Sequence, residues 1–181
     1  LKRLIKNTSV KEIESKSLNV SKIVIRPLLE KDVTSPYFIK WLFGKGQFED
    51  DDPKDYNYKE VIYDDKLGNY SYGYFDGDKL EGTIRITYTD GEDFYGLSYL
   101  YVNPKKWNQG IGKKLINFVL KKYGNKKYVL NVLEKNKKAI SIYTNYGFKI
   151  TKLVKGDTED DNYLVMEKME VKQNDQINKI R

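Results

Sequence analysis

The residues with the most chemical potential in this sequence are two glycines, an asparagine and a tyrosine. In Trp107-Asn108-Gln109-Gly110-Ile111-Gly112 the glycines let the backbone turn tightly and approach a ligand with no Cβ in the way. Ile111, Leu115, Ile116, Val119, Leu120 and Tyr123 fall on one stripe after it, which predicts an amphipathic helix over Gly110–Tyr123. The first N–H groups of such a helix lack intrahelical partners and its dipole adds partial positive charge, so the turn can hold a phosphate. Gly-x-Gly before a helix is often only a tight turn, but here a strand ending at Val102 and the breaker Pro104 precede it. Asn136 and Tyr143 stand close to two helical turns apart and share a face. Core packing competes with any chemical role for Tyr143, in a chain with 16 tyrosines. For a general base the candidates are Asp93 and Glu92, or a water held by Ser98 or Tyr99, and a solvated turn is the plainer reading of both carboxylates.

Two absences narrow the chemistry. Without Cys there is no disulfide framework, thiolate zinc site or enzyme-bound thioester. Without His there is no Ser-His-Asp triad or histidine metal site, and no metal is expected. The lack of Cys suits a reducing cytoplasm, the expected location. No run approaches the roughly 18 apolar residues of a membrane span. The N-terminus has no apolar h-region and is not expected to be a signal peptide, though its start at Leu1 leaves trimming open.

These residues need a scaffold, and the hydrophobic pattern predicts one. Lys22–Leu28 alternates as a first strand, and Glu30–Phe43 carries Val33, Tyr37, Trp41 and Leu42 at helical spacing. Asp51 or Asp52 can cap a second helix, with Pro53 at its first position and Tyr56, Val61 and Ile62 inward. Asn69–Phe75 and Lys79–Tyr88 form a hairpin around Asp76-Gly77, and a turn at Asp90-Gly91 leads into the strand Phe94–Val102. After the glycine helix come a strand over Tyr128–Leu133, a helix over Asn136–Tyr146 and a last hairpin, Phe148–Val154 with Asn162–Met169. The expected fold is α/β, a mixed sheet with helices on both faces. We expect one domain over residues 22–170, an N-terminal extension over 1–21 and a polar tail over 171–181.

The net charge is +7 and unevenly spread. Eight acidic residues between Glu49 and Asp65 face two lysines, whereas eleven lysines between Lys105 and Lys138 face only Glu134. A basic total can be no more than a solvated surface. The sharper reading is a basic half for a phosphate-rich ligand and an acidic half near a cationic one. A nucleic-acid surface is the weaker reading, because no Arg-rich or stacking motif accompanies the lysines.

From Leu97 to Phe148 the sequence resembles the acyl-CoA-binding half of the GNAT superfamily of N-acyltransferases, and the looser resemblance extends from Lys22 to Met169. The family's pyrophosphate loop, Q/R-x-x-G-x-G/A, places Trp107 where Gln or Arg is usual and matches Gly110 and Gly112. The resemblance implies a mostly antiparallel sheet in β-α-α-β-β-β-α-β-α-β-β order, with acetyl-CoA as co-substrate. Backbone amides from Asn108 to Lys113, including Gln109, would hold the pyrophosphate. Leu100, Tyr101 and Val102 would present main-chain groups to the pantetheine arm and an N–H to the thioester oxygen. Asn136 would touch the pantetheine, and Tyr143 would protonate the departing thiolate. Some members carry a basic Glu where this chain has Asn131. The opening IRPLLEKDVTSPYFIKWLF is similar to GNAT members that include aminoglycoside 6'-N-acetyltransferases and amino-sugar acetyltransferases.

The expected activity is direct transfer of an acetyl group from acetyl-CoA to a primary amine of a small cationic or amino-sugar acceptor. Protein N-termini or lysines are alternative acceptors, and a non-catalytic acyl-CoA-sensing or partner-binding module is a reading from another class. No membrane or nucleic-acid partner is expected, and a homodimer is left open.

Overall fold

The computed structural model describes residues 22–44, 51–62, 69–88 and 91–171. The N-terminal extension, the tail beyond residue 171, and the acidic residues Glu49, Asp50, Asp64 and Asp65 lie outside the described residues, as does Asp90 of the expected turn.

Seven strands form one sheet: β1 (Ile23–Pro27), β2 (Asn69–Asp76), β3 (Lys79–Tyr88), β4 (Tyr95–Val102), β5 (Tyr128–Leu133), β6 (Lys149–Val154) and β7 (Tyr163–Lys168). Their spatial order is β1-β2-β3-β4-β5-β7-β6. Every neighbouring pair is antiparallel except β4 with β5, which is parallel. Parallel neighbours need a crossover, and the helix α4 (Ile111–Tyr123) supplies it. The remaining helices among the described residues are α1 (Glu30–Val33), α2 (Pro36–Leu42), α3 (Tyr58–Val61) and α5 (Lys137–Asn145).

The sequence departs from the expected elements mainly before β2. The helix expected over Glu30–Phe43 is two short helices, because Pro36 cannot occupy a helix interior. Ser35 caps the second, its Oγ accepting from the Phe38 N–H at 3.3 Å, and Pro36 takes the first position. The second expected helix is a single 3₁₀ turn, Pro53–Asp55, capped by Asp52, and then α3, capped by Asn57. Val61 is buried there, and Tyr56 and Ile62 pack against the same cluster. The two-residue loop between β2 and β3 is Gly77-Asp78, with Gly77 in the left-handed region at φ 60°.

Among the described residues two apolar clusters form the core. One joins Leu115, Ile116 and Val119 of α4 to Ile84, Ile86, Leu97, Tyr128 and Leu130 of the sheet, with α5 packed against it through Ala139, Ile140 and Tyr143. The other joins Val33, Phe38, Trp41, Leu42 and Val61 of the first three helices to Phe75 and Leu80. A bulge lets β3 serve both clusters. Gly82 pairs with Tyr74 and Leu80 with Phe75, so Glu81 is the extra residue and the side chains change faces across it. Among the described residues no helix is long and apolar enough to cross a membrane.

Candidate active site

The pairing of β4 with β5 is short. It runs through Tyr95↔Tyr128, Gly96↔Val129 and Leu97↔Leu130 and then stops. Beyond Leu97 the register of β4 with β3 shifts, and Tyr99 adopts φ 51°, unusual for a residue with a Cβ. The Tyr99 carbonyl accepts from Thr83 Oγ1 at 2.8 Å, which holds the bulge in place. Past this point β4 no longer pairs with β5, and the two strands separate.

The separation leaves a cleft of about 960 Å³. Ser98 to Val102 line one wall, Asn131 to Leu133 the other, and the turn before α4 and the inner face of α5 close its ends. Nearly all the sequence candidates meet here: Leu100, Tyr101, Val102, Trp107, Asn108, Gly110, Ile111, Gly112, Lys113, Asn136 and Tyr143. Gln109 does not line the cleft, and its side-chain amide is directed at the Lys105 carbonyl, 3.5 Å away. Asp93 is also set apart. It lies in the exposed turn before β4, where β4 and β5 are still joined, so six residues of chain put it roughly 20 Å from Tyr99.

The turn has the backbone shape of an anion cradle. Asn108 and Gly110 both have positive φ, 64° and 78°, and α4 begins at the next residue. Among the described residues a Cβ built on Gly112 would touch only Val102 Cγ2, at 3.8 Å, so the space above this glycine is open to a ligand. Lys106, Lys113 and Lys138 line the same cleft and add positive charge. These donors and this open floor fit a pyrophosphate.

Trp107, in the place of the usual Gln or Arg, does different work from a phosphate contact. Its indole N–H donates to the Val102 carbonyl at 2.8 Å, tying the turn back to the end of β4. The Lys138 ammonium sits 4.9 Å from the centre of its ring, a cation–π contact across the mouth of the cleft. Asn136 also has a structural task, since its Oδ1 caps α5 by accepting from the Ala139 N–H at 3.0 Å.

Tyr143 is half-buried, its ring edge-on to Phe148 with centroids 5.7 Å apart. Burial pushes its hydroxyl pKa up to about 12, so the phenol stays protonated at neutral pH. Full proton transfer to a thiolate of ordinary pKa, about 8.5, would then run uphill by roughly 5 kcal/mol. A thiolate released in the same desolvated space has its own proton affinity raised, which narrows that gap. A strong hydrogen bond with late proton transfer suits these values better than an early transfer.

A second hollow, about 360 Å³, adjoins the cleft, and Tyr99 and Tyr101 line both. Asp51, Asp52, Asp55 and Glu60 surround it with Tyr56, Leu42 and Val61. The Tyr56 hydroxyl is buried there with no hydrogen-bond partner among the described residues. Burial raises the Tyr101 hydroxyl well above the usual range, and the fields of Tyr99 and Glu60 raise it further. Sequence reading gave Tyr56 only a packing role; its chemical signal, a polar atom stranded in an acidic hollow, exists only in three dimensions.

A mixed sheet that opens between two parallel strands above a glycine turn is the architecture of the GNAT acetyltransferases, and the model of the Acetyltransferase (GNAT) family matches residues 33–148. The chain belongs to that family, for which acetyl-CoA is the co-substrate. Solved structures similar to it include the ribosomal-protein-S18-alanine N-acetyltransferase from Escherichia coli, at 17% identity and TM-score 0.65 over 84% of this chain and 98% of that one. A chimera of the spermidine N-acetyltransferase from Vibrio cholerae is 19% identical, with TM-score 0.63 over 87% and 99%. A GNAT family acetyltransferase from Elizabethkingia anophelis with acetyl-CoA bound is 23% identical, with TM-score 0.58 over 82% and 98%. No curated protein matches the chain in sequence.

Proposed function

We propose that this protein is an acetyl-CoA-dependent N-acetyltransferase whose acceptor is a small amine carrying more than one positive charge, with the cytoplasm as its setting. One observation supports this reading above the others: an acidic hollow opens onto the same two tyrosines that line the cofactor cleft.

The residues divide the work as follows. The amides around Asn108–Lys113, with Lys106, Lys113 and Lys138, hold the pyrophosphate of acetyl-CoA, which brings an activated acetyl thioester. The end of β4 at Leu100–Val102 offers an N–H to the charge that develops on the thioester oxygen, a type of contact worth about 2.7–4 kcal/mol elsewhere. Asp51, Asp52 and Asp55 hold the distal charges of the acceptor. Glu60 receives the reacting ammonium and relays its proton to water, and Tyr143 donates to the departing sulfur. With no Cys there is no thiol to carry the acetyl group as an enzyme thioester, and direct transfer in a ternary complex is the route that the family suggests.

The test is thiol release from acetyl-CoA across a panel of polyamines, amino sugars, neutral amines and peptides. Polycationic acceptors should support the highest kcat/KM, with intersecting initial-rate lines. Equal rates with neutral amines, or preference for a peptide N-terminus, would contradict the acceptor class. A second reading, a non-catalytic acyl-CoA sensor, draws on Asn131, which lines the cleft with an amide where some relatives have Glu. Thermal stabilisation by acetyl-CoA without thiol release for any amine would select it.

A further inference from the structure

Glu81 is 2% exposed, yet among the described residues no Lys or Arg forms an ion pair with it. Burying a carboxylate is expensive unless it is well hydrogen-bonded. Here the side-chain amide of Asn103 donates to Oε2 at 2.6 Å, and the Tyr37 hydroxyl donates to Oε1 at 2.7 Å. The same Asn103 amide reaches the Tyr37 oxygen at 3.2 Å, closing a three-membered ring of side chains. The Asn103 N–H also donates to the Glu81 carbonyl at 2.9 Å.

The location gives this cluster its meaning. Glu81 is the extra residue of the β3 bulge, a device that re-aims a side chain at some cost in regular pairing. Asn103 is 3% exposed and is the first residue after β4. Its remaining side-chain oxygen accepts from the Lys105 N–H at 3.1 Å, capping the 3₁₀ turn Pro104–Lys106 that feeds directly into Trp107–Gly112. The stretch is thus held at two points: Trp107 to the carbonyl of Val102, and Asn103 to Glu81 inside the core. Tyr37 belongs to α2, so the ring also ties the turn to the helices beside the acceptor hollow.

We infer that Glu81, with Tyr37, is a positioning group for the pyrophosphate turn: through Asn103 it sets the direction in which the amides of residues 108–112 present themselves to CoA. This rests on the reading of that turn as the pyrophosphate site. Glu81 touches no ligand itself; the bulge and the buried carboxylate are destabilising features that a merely structural corner could do without.

The test is calorimetric titration of CoA into four variants, with melting temperature as a check on folding. Glu81→Gln keeps the shape but has one oxygen for the two donors it faces, so either the Asn103 amide or the Tyr37 hydroxyl loses its acceptor, and CoA should bind about tenfold more weakly. Asn103→Ser keeps a capping oxygen and loses the link to Glu81; it should show the same loss, and it stands in if Glu81→Gln does not fold. The exchange E81Q/N103D restores a donor facing an acceptor and retains a cap for Lys105, so affinity should return to within about twofold of wild type. Wild-type affinity in folded Glu81→Gln or Asn103→Ser, or a loss that the exchange does not repair, would overturn the inference. Gly110→Val separates the two layers of the argument: if it too leaves CoA binding unchanged, the pyrophosphate assignment itself has failed.

Discussion

Tyr143 is the residue on which the proposed chemistry turns. Phe removes the hydroxyl and preserves the ring contact with Phe148, so Tyr143→Phe should lower kcat by roughly 10²-fold while acetyl-CoA affinity and melting temperature change little. Near-wild-type kcat would return the ring to a packing role. The pH dependence follows from the raised pKa. A proton donor must be protonated, and with a pKa pushed up to about 12 it remains so throughout the range in which acceptor amines lose their protons. The kcat profile should therefore show no falling limb from this group below about pH 10, whereas a fall near pH 8 to 9 would contradict the assignment. The same shift has a stability consequence: the unfolded chain releases this proton first, near pH 10, so the stabilising contribution is present below that and lost as pH rises toward 12. At this scale the sequence was informative about residues on regular elements and poor on the rest. Asn136 and Tyr143 reach one cleft because helical spacing is a local rule. Asp93 was attractive only by type, and nothing local says that the strand after it carries the cleft roughly 20 Å away.

Among the elements, α4 and the turn before it carry the most weight. Ile111, Leu115 and Ile116 are almost fully buried, and Gly82 of β3 lies against the first two. A Cβ on Gly82 would meet Ile111 Cγ2 at 2.9 Å and the Tyr101 carbonyl at 3.1 Å. Gly82→Ala should therefore cost about 1–3 kcal/mol in chemical denaturation and weaken acetyl-CoA binding, since it displaces the start of α4 together with the β4 wall. Unchanged stability would mean that the helix start moves freely, against this account of the turn as a rigid cradle. Most elements from β2 onward were legible because alternation and helical stripes continued for six residues or more. The first helices were less so: Ser35-Pro36 divides a continuous apolar stripe, and the stripe is the stronger pattern although the proline decides the backbone. The two bulges, at Glu81 and Tyr99, had no local signature, because each is defined by what the neighbouring strand does.

Across the whole molecule the uneven charge of the sequence becomes two adjoining spaces, one lined by lysines and one by carboxylates. The acidic run was visible in the sequence; its adjacency to the lysine-lined cleft through Tyr99 and Tyr101 was not, since the two segments are some forty residues apart. If the hollow selects the acceptor, Asp51→Asn combined with Asp55→Asn should raise KM for a polyamine by about five- to tenfold and leave KM for acetyl-CoA unaltered. Added salt should produce the same trend in the wild type, because these carboxylates are exposed. A fall in kcat with no change in acceptor KM would argue that the acids act elsewhere.

The central claim is that the turn at Gly110 and Gly112 binds the pyrophosphate of acetyl-CoA, and isothermal calorimetry of wild type against Gly110→Val tests it most directly. A β-branched residue cannot comfortably adopt φ 78°, so the substitution disturbs the cradle at its tightest point while adding a side chain to open space. The account predicts one acetyl-CoA bound per wild-type chain and at least tenfold weaker binding, about 1.4 kcal/mol, in a mutant that still unfolds cooperatively. Equal affinity in the two folded proteins would contradict it.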